Sequence, residues 1–305
     1  MITVLMTVYN GEKFLNEAIE SILEQSYKNF EYLIIDDAST DKSREIINSY
    51  DDKRIKLITN SKNLGQSISL NKGIDLAYGK YIARMDQDDI CLSERLNKQN
   101  DYMEKNPEIG VLGCNIINVD SSKRFLSHKD RPITHNQNKW ALLVNTCLMH
   151  PTAFIRYSEL RKNRYDQRYA PCEDYEFWSR LIHNTRIEQL KEALVLVRKH
   201  SSNTGKIKEN ERIINRRIIS RNNVKIMLGI NHDEDYFFCQ YIYKEFDKNS
   251  SYLNKIIGLV QGIVVYYKFC INNNVIINDR KWIKNNILNY LKGSKSNLIY
   301  KILLA

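Results

Sequence analysis

No stretch of about 18 residues in this chain is free of charge, so no segment reads as a membrane-spanning helix. The apolar opening, MITVLMTVYNGEK, lacks a basic leader and a small-residue cleavage site, and reads as a buried first strand rather than a signal peptide. The six cysteines, Cys91, Cys114, Cys147, Cys172, Cys239 and Cys270, contain no CxxC pair. That argues against a zinc site of the usual spacing and against a disulfide framework, and leaves reduced thiols in a cytoplasmic setting. No GxGxxG follows the first apolar run, which argues against a dinucleotide oxidoreductase. No helix-turn-helix, RNA-binding or zinc-finger signature accompanies the basic residues, so no nucleic acid is expected as partner.

What is present is a core-forming chain with uneven charge. Of 305 residues, 43% are hydrophobic, enough for a sizeable core, and the length suggests two domains or one domain with an appendage. Residues 1–100 carry 13 basic and 16 acidic side chains, whereas 201–305 carry 17 and 8, so most of the net +10 lies in the last third. A basic tail on a near-neutral body suits an anionic surface: membrane phospholipid, nucleic acid or a phosphorylated substrate.

The first 120 residues alternate strand and helix. Apolar runs at 2–9, 32–37, 55–59, 81–86 and 109–119 predict strands. Between them, helices are expected from Phe14 to Leu23, over 43–50 and 66–77, and after Ser93, which is placed to cap the last before Pro107 closes it. The rhythm implies an α/β fold: an open, mostly parallel sheet with helices on both faces and its ligand site beyond the carboxyl ends of the strands. Residues 121–139 read as a polar loop, 150–156 and 193–200 as strands, and 173–182 as a helix. Beyond 205 the chain reads as helical, over 209–228, 234–247, 251–271 and 281–304.

Three polar groups fall at those strand ends: Thr7, Tyr9 and Asn10; Asp36 and Asp37; and Asp86, Asp88 and Asp89 in YIARMDQDDICL. Three carboxylates within four positions repel one another, and a hard divalent cation relieves that repulsion. A solvated turn is the plainer account of D-x-D alone. DDASTDKS also serves as a strand–helix connection. Glu173-Asp174 also sits well at a helix start, where the macrodipole favours carboxylates, but either can act as a base. His150 and His200 stand where strands meet polar chain, and fit structural or phosphate- or metal-contacting roles. The run 256–267 is too short to span a bilayer and suits a core helix or a helix lying on anionic lipid.

Four segments in order resemble the inverting family 2 glycosyltransferases with the GT-A fold: VLMTVYNGEKFLNEAIESILEQSYKNFEYLIIDDASTDKS, NLGQSISLNKGIDLAYGKYIARMDQDD, HPTAFIR and CEDYEFWSRL. The resemblance covers about 1–200 and implies a GT-A catalytic domain over 1–204, with a nucleotide-sugar half (1–120) and an acceptor half (121–204), followed by a basic helical region (205–305). By the same resemblance, Thr7, Tyr9 and Asp37 hold the uracil and ribose of a UDP-sugar, and Asn63, Arg84 and Asp86 line the nucleotide pocket. Asp88, with Asp86 and His200, would meet Mn2+ or Mg2+. Asp174 would be the general base, with Glu173 in reserve. Many relatives build bacterial capsule, O-antigen or lipooligosaccharide, which implies a glycan or polyprenol-linked acceptor and a location in the cytoplasm or on the inner face of its membrane. The QxxRW motif of processive synthases is absent, which favours single addition. A sugar nucleotidyltransferase would need a Gly- and Arg-rich loop where this chain has TVYNGEKF, and an inert carbohydrate-binding scaffold would not need carboxylates at 86, 88 and 174.

Overall fold

A computed structural model describes residues 1–128, 131–201, 207–229 and 265–292. The contacts divide the chain into one unit of Met1–His135 with Thr146–Asn215 and another of Asn136–Asn145 with Arg216–Ala305.

The first unit is built on a single mixed sheet. Strands β1 (Ile2–Val8) and β2 (Phe30–Asp36) are buried throughout, as near-continuous apolar runs require. With β3 (Ile55–Thr59) and β4 (Tyr81–Met85) they form a parallel half in the order β3-β2-β1-β4. Helices α1 (Leu15–Leu23), α2 (Ser43–Asn48) and α3 (Gln66–Leu76) connect them. Leu15, Ala18, Ile19 and Ile22 of α1 share one stripe and enter the core with β1 and β2.

Beyond β4 the sheet departs from the parallel expectation. The two-residue β5 (Ile90–Cys91), β6 (Ile109–Val119), β7 (Phe125–His128), β8 (Phe154–Arg156) and β9 (Arg186–Arg198) continue it as β8-β6-β9-β5, with β7 on β6. β8 is antiparallel to both β4 and β6, whereas β9 runs parallel to β6. The strand expected over 150–156 is only three residues long, because His150–Thr152 form a 3-10 turn around Pro151. Helix α4 (Arg95–Lys105) starts with no side-chain cap, so Ser93 does not act as one; its carbonyl accepts Ser26 N at 2.9 Å.

The segment read as loop, 121–139, contains β7 and the start of α5 (His135–Leu142). Helices α6 (Tyr157–Lys162) and α7 (Glu173–Leu181) follow in the first unit. Helix α8 (Glu209–Leu228) enters the second unit at Arg216, where Ser220 Oγ donates to Leu143 O (2.5 Å) and Asn223 Nδ2 to Leu142 O (2.6 Å). Gln137 reaches Asp279 at the start of α9 (Ile277–Lys292) at 3.0 Å. The helix expected over 234–247, most of that over 251–271 and the last residues of the chain lie outside the described residues. Among the described residues no helix is long and apolar enough to cross a membrane, and Cys91, Cys114, Cys147, Cys172 and Cys270 are buried free thiols.

Candidate active site

The parallel register places Val8 beside Asp36, Asp36 beside Thr59, and Met6 beside Met85. The segments after β1, β2 and β4 therefore meet at one sheet edge. The loop after β1 is held by side chains at four consecutive amides. Tyr9 N donates to Gln87 Oε1 (2.8 Å), Asn10 N to Ser39 Oγ (3.0 Å), Gly11 N to Ser43 Oγ (2.9 Å) and Glu12 N to Asp41 Oδ2 (3.0 Å). Gln87 Nε2 also returns a bond to Tyr9 O at 3.1 Å. A Cβ at Gly11 would stand 2.7 Å from Gln87 Oε1 and would have to displace the side chain that holds Tyr9. DDASTDKS thus shapes the loop of TVYNGEKF. Thr7 lies at the foot of that loop, 9% exposed, and the Tyr9 side chain above it is 45% exposed.

Asp37 is buried and turned toward the chain's own 60–65 turn. Its carboxylate accepts Asn60 Nδ2 (2.8 Å), Leu64 N (2.9 Å) and Gly65 N (2.8 Å). Gly65, at φ +90°, supplies the backbone that lets this turn lead into α3, and Asn63 stands exposed upon it. Asp37→Ala orphans three donors and is expected to lower stability by about 2–4 kcal/mol, measured by urea unfolding. Wild-type stability would show that the turn does not depend on this carboxylate.

The D-x-D aspartates have separate environments. Asp89 is buried and accepts Arg198 N at 2.8 Å, while Arg198 Nε donates to Asp88 O at 2.9 Å. Burial, then Asp88 and Asp86, push the Asp89 carboxyl well above the usual carboxylate range. Asp86 forms an ion pair with Arg84, and burial raises its pKa against that attraction. Asp88 Oδ2 lies 2.8 Å from His200 Nε2, and the His200 ring packs against Phe14 with centroids 4.9 Å apart. Protein partners therefore account for Asp86 and Asp89, where the sequence suggests one shared cation for all three. No trio of His, Cys, Asp and Glu converges among the described residues. The Asp88 carboxylate is a fitting donor for Mn2+ or Mg2+ of the kind that completes its shell with water and substrate phosphates, and the His200 imidazole beside it suits Mn2+ rather than the oxygen-preferring Mg2+.

Arg84 joins this corner to helix α7, which carries Glu173 and Asp174. It is 1% exposed and ion-paired with Asp86; with the Gln66 amide assigned the orientation that gives both its ends a partner, the Gln66 oxygen accepts from Arg84 and its nitrogen donates to Glu173 Oε1 at 3.0 Å. Arg95 steadies it from below, donating to Arg84 O at 2.8 Å. Glu173 is 7% exposed with Oε2 unpartnered, and burial followed by the charge of Asp174 raises it to about 7. Asp174 is raised to about 6, mainly by burial, with Tyr175 N at 2.7 Å opposing. Thr146 Oγ1 also reaches its Oδ2 at 3.4 Å. Both carboxyls are thus raised toward neutrality, Glu173 somewhat the higher, and they titrate as a pair.

His150 is buried, bonded through Nε2 to Tyr165 Oη at 2.9 Å, and kept neutral by burial and then by Arg84. Gln66, Gln87, Arg95 and Arg198 were not foreseen from sequence as site residues. Gln66 and Gln87 lie inside the quoted motifs, whereas Arg95 and Arg198 lie outside them and carried no signal.

The sequence model described as Glycosyl transferase family 2 matches residues 3–163. The chain is 38% identical over 189 residues to an uncharacterized glycosyltransferase of Methanocaldococcus jannaschii, covering 60% of this chain and 65% of that protein. It is 33% identical over 215 residues to the Escherichia coli O-antigen biosynthesis glycosyltransferase WbnJ, covering 68% and 82%. Among solved structures, Staphylococcus aureus TarS residues 1–349 with UDP-GlcNAc superposes with TM-score 0.63 at 17% identity, covering 88% of this chain and 81% of that one. The mannosyltransferase PcManGT of Pyrobaculum calidifontis, with GDP-Man and Mn2+, superposes with TM-score 0.53 at 14% identity, covering 99% and 78%. At those identities the likeness speaks for the fold, a GT-A sheet flanked by helices.

Proposed function

The chain belongs to glycosyl transferase family 2, and from that premise we propose that it is an inverting, single-addition enzyme that moves a hexosyl or N-acetylhexosaminyl group from a UDP-sugar to a glycan or polyprenol-linked acceptor. The observation that carries this reading is the buried Arg84, which ties Asp86 to Gln66 and thence to Glu173, beside Asp174. It links a nucleotide-side carboxylate to the helix that carries a base.

In this reading Tyr9, on its fixed loop, covers the uracil, with Thr7 beneath. Arg84 and Asp86 border the ribose and the sugar. Asp174 accepts the proton of the acceptor hydroxyl, whose oxygen attacks the anomeric carbon opposite the departing UDP, so the configuration inverts. Glu173, still protonated when Asp174 has ionised, offers the donor sugar a hydrogen bond from within the pocket. Asp88 and His200 would hold the cation, which when bound screens charge on the diphosphate. TarS and PcManGT, captured with UDP-GlcNAc and with GDP-Man and Mn2+, support a nucleotide-sugar donor and a divalent metal. WbnJ supports a surface-polysaccharide role. The basic last third fits a position on the inner face of the cytoplasmic membrane.

The direct test is hydrolysis and transfer from a panel of UDP-sugars, with the anomeric configuration of the product read by NMR. Turnover of one UDP-sugar with inversion is the expected result; retention, or activity with no nucleotide sugar, contradicts it. The ascending limb of kcat/KM against pH is expected between about 6 and 7, since the base must lose its proton and the two carboxyls titrate as a pair. A pH-independent rate from 5 to 8 would remove the carboxyl pair from the mechanism.

A further inference from the structure

Arg131 is half-buried as a residue, with part of its guanidinium sealed from solvent. Arg131 lies in the segment that follows β7, and that segment is fastened firmly to the sheet. Arg131 N donates to Asn115 Oδ1 on β6 at 3.3 Å. Gln189 of β9 donates through Nε2 to Pro132 O (2.6 Å) and Cys147 O (3.0 Å), and through its backbone N to Ile133 O (2.9 Å). The guanidinium so placed has Nε and Nη2 buried and without a hydrogen-bond partner. Its electrostatic neighbours are the Asp174 carboxylate and the Cys147 thiol, and Lys199 feels its charge. Lys199 also feels the charges of Asp86, Asp88 and Asp89. Among the described residues no carboxylate closes an ion pair with Arg131. Burying a charged fork without a partner is costly, and such groups persist where a ligand completes them.

We infer that Arg131 is a phosphate ligand, its guanidinium drawn to a substrate phosphoryl group on the Asp174 side. This rests on the nucleotide-sugar reading above. Two substrates carry that chemistry: the diphosphate of the donor and a phosphate on the acceptor. A guanidinium suits either, because its planar fork matches phosphate oxygens in pairs.

The test is calorimetry with UDP, GDP and uridine in the presence of MnCl2, and then with inorganic phosphate added to the UDP-loaded protein. It compares wild type, Arg131→Met and Arg131→Lys, with melting curves to confirm that each is folded. If the donor diphosphate is the ligand, Arg131→Met weakens UDP about 10- to 100-fold and leaves uridine unchanged, with Arg131→Lys in between. If the acceptor phosphate is the ligand, UDP is unchanged, and inorganic phosphate binds loaded wild type but not Arg131→Met. Equal UDP affinity with no difference in phosphate binding overturns the inference while leaving the enzyme reading intact. Should Arg131→Met fail to fold, Arg131→Lys decides by the same criteria. Wild type that binds neither UDP nor GDP is instead a failure of the nucleotide-sugar reading, and the inference falls with it.

Discussion

Asp174→Asn is expected to lower sugar transfer about 10^3-fold, with nucleotide binding little changed, since a positioned base contributes roughly 10^2- to 10^4-fold. The amide fills the same space but cannot take the proton of the acceptor hydroxyl. Tyr175 N, at 2.7 Å from Oδ1, can still donate to the new side-chain oxygen, so the start of α7 should hold. The paired variant, Glu173→Gln, separates the two carboxyls. Glu173 is the group pushed to about 7, and Asp174 reaches only about 6, so at neutral pH Asp174 is the better supplied with ionised form. Glu173→Gln should therefore keep a measurable kcat and act more on KM for the donor. Single-turnover assays of both variants check this. Near-normal chemistry in Asp174→Asn alongside a dead Glu173→Gln would reverse the assignment.

Asp88→Ala is expected to reduce transfer by about 10^2- to 10^3-fold, the scale seen when one preorganised group facing developing charge is removed. It should also abolish the effect of Mn2+ on UDP affinity, a readout independent of turnover. The carboxylate meets His200 at 2.8 Å, and the backbone of Asp88 stays gripped by Arg198, so deleting the side chain leaves the loop anchored. Wild-type-like turnover in Asp88→Ala would remove the cation from the account. The contrast with Asp37→Ala is physical. Asp37 faces three donors of its own chain and its loss should be felt in stability, whereas Asp88 lies at the open edge and its loss should be felt in binding and rate.

The strands and helices that place the site could be read from the sequence because they are local. Continuous apolar runs mark β1, β2 and β4, and the alternation with helices implies that their ends converge. Periodicity stops informing where the chain leaves that alternation. β5 has two residues and β7 lies in a polar stretch, so neither carries a pattern. β8 lost half its expected length to the turn at Pro151, and its antiparallel place between β4 and β6 depends on a crossover no spacing encodes.

The motifs announced which carboxylates cluster, but not what each one faces. Asp36 and Asp37 are adjacent in sequence, yet only Asp37 clamps the 60–65 turn. The residue between two aspartates, Gln87, proved to fix the peptide of Tyr9 across 78 positions. The Arg84–Gln66–Glu173 line joins three distant segments, and Arg131 depends on Asn115 and Gln189 for its place. Such pairings are set by tertiary geometry, which one sequence states only as isolated polar letters.

The central claim is that this sheet edge is a metal-assisted UDP site. Titration of UDP by calorimetry, with Mn2+ and then with EDTA, on wild type and Asp88→Ala, tests it most directly. The account predicts binding to wild type that weakens at least about tenfold on chelation, and no response to Mn2+ in Asp88→Ala. UDP affinity identical with Mn2+ and EDTA, or no binding at all to wild type, would contradict it.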